Sequence, residues 1–359
     1  MNENKFRRAL GKAWSNYSFI FIFAAIFICF YLCSESITWN GITNILRHSS
    51  VVGCIALGMS LVIITGQIDL SVGSMLSFVG GLTIFVSNAV DSAALTLLAA
   101  IGFGLLCGLL NGFLHAKCKM PAFIVTLATM LIFRSLTRYI CAVFSPGMGG
   151  SNSLYKMVNT TLNYNALYDF GNGKVLTIPI TGIVLVLITA VIVYLTTSTK
   201  FGKQLYAVGS NLNGAHLAGV NVDRVRIFAF GINGMLVGLA AFLWICMNRS
   251  IDPATTGGSY EMYAIAAVDL GGISMAGGKG RVIGVLFGVM SYTIIDKIIV
   301  ALKMDTKLND AVKGAILIAA ILVQTMGPII RAKVAASKRR HELKQLASDS
   351  FNRKGNRPL

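Results

Sequence analysis

The sequence predicts an all-α fold, a polytopic bundle of about ten transmembrane helices with both termini cytoplasmic. Three observations carry that prediction. Of the 359 residues, 55% are hydrophobic and only 13% charged, about half the charged share of a soluble domain. Apolar stretches of roughly 17 to 25 residues recur along the chain, each long enough to cross about 30 Å of hydrocarbon as a helix. The alternating pattern of about ten residues that a membrane barrel requires is absent.

The spans are read at 17–33, 49–65, 71–88, 93–115, 121–143, 176–196, 226–246, 260–275, 282–300 and 310–330. The first follows Lys5, Arg7, Arg8 and Lys12, and no small-residue cleavage site follows "FIFAAIFICFYLCSE", so it reads as an uncleaved anchor. The second and third flank "TGQIDLSVGS" (Thr65 to Ser74). Lys117 and Lys119 join the fourth to the fifth, and Lys279 and Arg281 the eighth to the ninth. Two connections are longer than a bundle needs: an external loop, 144–175, and a cytoplasmic loop, 197–225. The chain thus divides into a cytoplasmic tail, 1–16, a transmembrane domain, 17–330, and a basic cytoplasmic tail, 331–359. This topology puts 21 of the 31 lysines and arginines inside, as the positive-inside rule demands.

That distribution also accounts for the formal charge of +17 without nucleic acid, because the cations collect at the chain ends and in short loops. The seven cysteines lie mostly in apolar runs at no metal-like spacing and read as small buried hydrophobes. "HELK" (His341 to Lys344) lacks the second histidine of a zinc helix. "AGGKGR" (Ala276 to Arg281) lacks both the leading glycine and the Ser or Thr of a phosphate loop. No catalytic constellation, cofactor site or metal site is expected in the chain.

Asp69 is the conspicuous charge beside two apolar runs, and Gly66 and Gly73 loosen the helices around it. It has three readings: an N-cap for the third span, a substrate or gating contact in a translocation path with Gln67 and Ser71, or a contact between helices. Gly80, Gly81, Gly102, Gly104, Gly108 and Gly112 predict close helix packing. "GQIDLSVG" (Gly66 to Gly73) aligns without gaps on "GGISMAGG" (Gly271 to Gly278), an echo that fits either chance or a two-part architecture with corresponding broken helices. In the cytoplasmic loop, Asn211 is placed to cap a short helix carrying Ala215, Leu217, Ala218 and Val220, between Gly214 and Gly219. Such a helix either docks in a groove on a soluble partner or packs on its own protein. A polar path with few charges suits an uncharged polar substrate.

Four blocks then carry a resemblance: "ALGMSLVIITGQIDLSVGSMLSFVGGL" (Ala56 to Leu82), "GLLNGFLHAKCKMPAFIVTLATMLIFRSL" (Gly108 to Leu136), "TKFGKQLYAVGSNLNGAHLAGVNVDRVRIFAFGING" (Thr199 to Gly234) and "YEMYAIAAVDLGGISMAGGKGRVIGVLFG" (Tyr260 to Gly288). In this order, over about residues 40–325, they resemble the permease subunits of ribose-type sugar ABC importers. The resemblance implies a permease for a monosaccharide or related polyol in the bacterial cytoplasmic (inner) membrane. It implies three protein partners: a second permease copy or homologue, a cytoplasmic ATPase that holds ATP and Mg, and an extracytoplasmic sugar-binding protein that meets the external loop. It assigns ATPase coupling to Asn211, Ala215, Leu217 and Gly219. Gln67 departs from the family's second glycine in the signature, and His216 and the neighbours in "MNRSIDPATTGG" (Met247 to Gly258) depart as well. The rival readings are a branched-chain amino-acid importer permease and an ion-coupled secondary carrier.

Overall fold

The computed structural model describes residues 19–33, 38–144, 154–158 and 162–302, with isolated helical positions between 311 and 322. Two units divide the chain, Met1–Asp305 and Thr306–Leu359, and the architecture below is that of the first. Twelve helices follow in order among the described residues: α1 (Phe19–Cys33), α2 (Trp39–Ile64), α3 (Val72–Ala89), α4 (Ala93–Ala116), α5 (Ala122–Phe144), α6 (Leu162–Asn172), α7 (Ile180–Ser198), α8 (Lys200–Ser210), α9 (Leu212–Leu217), α10 (Val222–Asn248), α11 (Tyr260–Leu270) and α12 (Ile283–Ala301). Four two-residue strands pair antiparallel as β1 (Tyr155–Lys156) with β4 (Ser250–Ile251) and β2 (Lys174–Val175) with β3 (Ile178–Pro179).

Seven of these helices, α2, α3, α4, α5, α7, α10 and α12, are long and apolar enough to cross a membrane. They match seven of the predicted spans. The first predicted span is the shorter apolar helix α1. The eighth, 260–275, needs correction: its helix ends at Leu270. Eleven residues rise only about 16 Å, because the glycine pair Gly271–Gly272 closes the helix and Gly272 turns to φ +80°. The tenth, 310–330, lies mostly outside the described residues, and the two tails, 1–16 and 331–359, lie wholly outside them.

Local sequence sets the helix starts. Thr38, Ser92, Thr199, Asn211 and Asn221 each cap the helix that follows, accepting an amide hydrogen bond three residues on. Within the spans, hydroxyls bond back to carbonyls of their own helix, as Thr83 does to Val79, Thr137 to Phe133 and Thr189 to Leu185. No water is available at such depth, so this satisfies the polar group locally.

The core gathers around α2, whose residues 53–64 are all buried, and α10, which packs against α2, α3 and α4. The glycine pattern governs the α4–α10 seam. A Cβ on Gly104 would stand 2.2 Å from the Gly234 carbonyl oxygen, and one on Gly108 would stand 2.3 Å from that of Phe230. The two backbones therefore touch, as small residues at this spacing permit. Gly80 and Gly81 admit Ile251 and Tyr155 in the same way. Gly102 is the exception, with nothing within 4 Å of its missing Cβ. None of the seven cysteines forms a disulfide; Cys54, Cys107, Cys141 and Cys246 are buried as expected, whereas Cys29 and Cys118 are exposed.

Candidate functional site

Two interrupted helices and one projecting arm meet at one end of the bundle. α2 closes with a hydrogen bond from the Gly66 amide to the Ile63 carbonyl (2.8 Å) and one from Gln67 to Val62 (3.2 Å), with Gly66 at φ +79°. α11 closes in the same way, from Gly272 to Asp269 (2.8 Å) and from Ile273 to Val268 (3.3 Å). The two helix ends thus share one closure, in which Gly66 takes the place of Gly272, whereas the ungapped sequence alignment sets Gly66 against Gly271.

The break after α2 also touches the segment that follows α11. The Gly278 amide donates to the Ile64 carbonyl at 2.9 Å, and a Cβ on Gly277 would lie 2.9 Å from the Gly66 backbone. The end of α8 reaches the same point: a Cβ on Gly209 would fall 1.8 Å from the Ile64 oxygen, and one on Gly278 would fall 2.5 Å from the Ser210 nitrogen. The Tyr206 hydroxyl donates to the Gly280 carbonyl at 2.9 Å, fixing α8 to the loop after α11.

Between Gly66 and α3 the chain climbs back into the bundle. Asp69 there has no exposed surface. Its Oδ1 accepts from the Ser71 amide (2.9 Å) and the Ser71 hydroxyl (2.6 Å), and its Oδ2 accepts from Asn233 Nδ2 (2.9 Å). Asn111 Nδ2 on α4 donates to the Ser71 hydroxyl oxygen at 2.8 Å. Asp69 is thus not the cap of α3; Ser71 occupies that position, and Asp69 closes the turn before it while tying the turn to α10. Asn233 lies eleven residues past Val222, which places the carboxylate about 16 Å along α10. A carboxylate so buried persists only with its donors in place.

Of the predicted path residues, Gln67 is half-buried, while Asp69 and Ser71 are fully buried with their polar atoms toward α4 and α10. Sequence reasoning missed Asn111 and Asn233. Each is a lone amide inside an apolar run, followed by glycine, in "LLNGFL" and "GINGML", and that was the signal.

The predicted coupling residues lie together on the arm. Asn211 Oδ1 accepts from the Gly214 amide at 2.9 Å and starts α9. Ala215 is buried beneath it, and Gly219 at φ +79° ends it, with the Val220 amide returning to the Ala215 carbonyl at 3.0 Å. Leu217 projects from this frame with 88% of its surface exposed.

A second departure from regular helix precedes α11. Residues 251–257 run beside the first turns of α3, since a Cβ on Gly80 would meet Ile251 and one on Gly73 would meet the Gly257 carbonyl. Arg134, twelve residues into α5, donates from Nη1 to the Thr256 carbonyl (2.8 Å) and the Pro253 carbonyl (3.3 Å). These two carbonyls lie outside any helix and take their donor from α5. Asp252 shapes the turn, with Oδ1 accepting from the Ala254 amide (2.8 Å) and Oδ2 from the Thr255 hydroxyl (2.7 Å). Burial pushes its carboxyl up, but these hydrogen bonds, with the Thr255 amide and Arg134, outweigh burial and hold it below the usual carboxylate range. Near β4, Arg249 lies over the rings of Tyr164 (4.0 Å) and Tyr168 (3.6 Å) on α6.

Residues 41–321 match the family described as "Branched-chain amino acid transport system / permease component". The chain is 34% identical over 321 residues to the ribose import permease protein RbsC of Escherichia coli (strain K12), covering 88% of this chain and 96% of that protein. To the ribose import permease protein RbsC of Bacillus subtilis (strain 168) it is 36% identical over 307 residues, covering 85% and 91%. To the autoinducer 2 import system permease protein LsrC of Escherichia coli (strain K12 / DH10B) it is 32% identical over 294 residues, covering 81% of each.

Proposed function

The chain belongs to the branched-chain amino acid transport system / permease component family, and from that premise we propose that it carries a monosaccharide or related polyol across the bacterial cytoplasmic membrane. It is a multi-pass membrane transport subunit, not an enzyme. In this reading a separate cytoplasmic ABC ATPase binds ATP and Mg, and an extracytoplasmic sugar-binding protein delivers substrate. A second permease copy or homologue completes the path.

The observation that carries the reading is α9. A six-residue helix, capped at one end by Asn211 and closed at the other by Gly219, holds out a leucine that the chain itself leaves 88% exposed. A partner groove gains by covering that side chain, by about 25 cal/mol for each Å2 removed from water. The arm behind it touches the end of α2 and the segment after α11 through Gly209 and Ser210, so a displacement of α9 has a short route to the Asp69 turn. The end bearing α8 and α9 is then cytoplasmic, and the β1–β4 end with α6 is where the binding protein docks. The relatives named as ribose and autoinducer 2 import permeases favour a small polyhydroxylated substrate.

The test is to copurify the chain with its partners, reconstitute the complex in liposomes, and measure ATP hydrolysis and uptake against a panel of pentoses, hexoses and polyols. Stimulation by at least one sugar, with leucine and valine inert, is the expected result. Stimulation by leucine or valine would replace the sugar with an amino acid. Uptake by the chain alone, driven by a proton or sodium gradient and indifferent to ATP, would overturn the importer reading.

A further inference from the structure

A cavity of about 480 Å3 opens beside α9, walled by Lys119 from the α4–α5 connection, Asn213 and His216 from α9, and Asn221, Asp223 and Arg226 from the start of α10. Its charge is unbalanced. Asp223 is the sole carboxylate among the lining residues, and it is already engaged, with Lys119 Nζ at 2.9 Å from Oδ1 and Lys117 Nζ at 3.7 Å from Oδ2. Arg226 makes no ion pair within 4 Å among the described residues, although Asp223 is near enough to favour its charge, and its buried Nε has no hydrogen-bond partner. The N-terminus of the long helix α10 adds partial positive charge to the same wall.

Apolar side chains lie close by in the chain: Phe123 and Ile124, in the first turn of α5 just after the connection that carries Lys119, are exposed by 58% and 53%. A basic hollow at the ends of two membrane-crossing helices, with greasy side chains one turn further in, has the layout of a lipid headgroup and its acyl chains.

We propose that this cavity binds the headgroup of an anionic phospholipid, whose phosphate bridges Arg226 and Lys119 while its acyl chains lie along Phe123 and Ile124. Asn213 and His216 belong to the wall, so the bound lipid also fastens α9 to α10. The inference requires only that the chain crosses a bilayer, and it stands or falls independently of the transported substrate.

The full chain, purified in mild detergent and offered equal amounts of dioleoyl phosphatidylglycerol and dioleoyl phosphatidylcholine, is examined by native mass spectrometry. One phosphatidylglycerol is retained per chain, and phosphatidylcholine is not. Lys119→Gln and Arg226→Gln each lower the retained fraction about fivefold, the share expected of one basic residue. Asp223→Asn raises it, because a competing anion is gone. The Lys119 side chain is 71% exposed, so its replacement tests the site without burdening the fold. Equal retention of the two lipids, or unchanged retention in the lysine and arginine variants, overturns the proposal. Displacement of the lipid by millimolar inorganic phosphate reassigns the cavity to a small anion. An Arg226→Gln chain that keeps its lipid but loses its ATPase partner reassigns it to protein docking.

Discussion

Replacing Gly108 by alanine tests the contact on which the α4–α10 seam depends. The added Cβ would stand 2.3 Å from the Phe230 carbonyl oxygen and 2.9 Å from the Gly234 Cα. Both neighbours are backbone of a rigid helix, so relief requires the two helices to part by about 1 Å, toward an ordinary contact near 3.5 Å. A gap of that size forfeits a quarter to a half of each dispersion well along the seam, and overpacking of this kind costs about 1–3 kcal/mol. Gly102 on the same helix supplies the control. Its Cβ would meet nothing within 4 Å, so Gly102→Ala is neutral or gains up to about 1 kcal/mol from helix propensity. The assay is reversible unfolding of the purified chain in mixed micelles, with detergent-solubilised thermal stability as a second readout. Equal tolerance of the two substitutions would refute the account of the seam.

Three further outcomes follow from the site. Asp69→Ala strands Asn233 Nδ2 in a buried place, costs about 1–3 kcal/mol and lowers uptake in the reconstituted complex, while Asp69→Asn, which keeps one acceptor oxygen, loses less; wild-type uptake by an equally abundant alanine variant counts against the role. Leu217→Asp removes ATPase copurification without changing thermal stability, because the side chain is 88% exposed, and a destabilised chain that still held its ATPase would contradict the docking assignment. Asp252 has a depressed carboxyl pKa, so its contribution to the 252–257 turn is complete above the ordinary value of about 4 and fades as pH falls through the lower folded value; the protection of the Ala254 and Thr256 amides, exchange measured relative to the intrinsic rate at each pH, should fall only in that acid range, and protection that instead rose there would show the sign to be wrong.

Seven of the spans were legible because the length of an apolar run and the height of a bilayer are directly comparable. The cap at Asn211 was legible because its acceptor and the Gly214 amide are three residues apart. Span 260–275 misled because hydropathy averages over Gly271 and Gly272, whose effect is conformational. The Asp69 turn was found through its charge, but its partner was not, since Asn233 is 164 residues away and no local pattern joins them. Pairing of Tyr155 with Ile251 was equally hidden, as two-residue strands leave no alternation to read.

Joints made of side chains have backlash: part of any displacement is absorbed as rotamers shift before the next element feels it. The meeting of Ile64, Gly209 and Gly278 has none of that slack, because main chain lies directly on main chain. Movement entering through α8 must therefore reach α2 and the segment after α11 almost undiminished. The same economy makes the joint unforgiving, since a single methyl group at Gly209 would wedge three parts of the protein open at once.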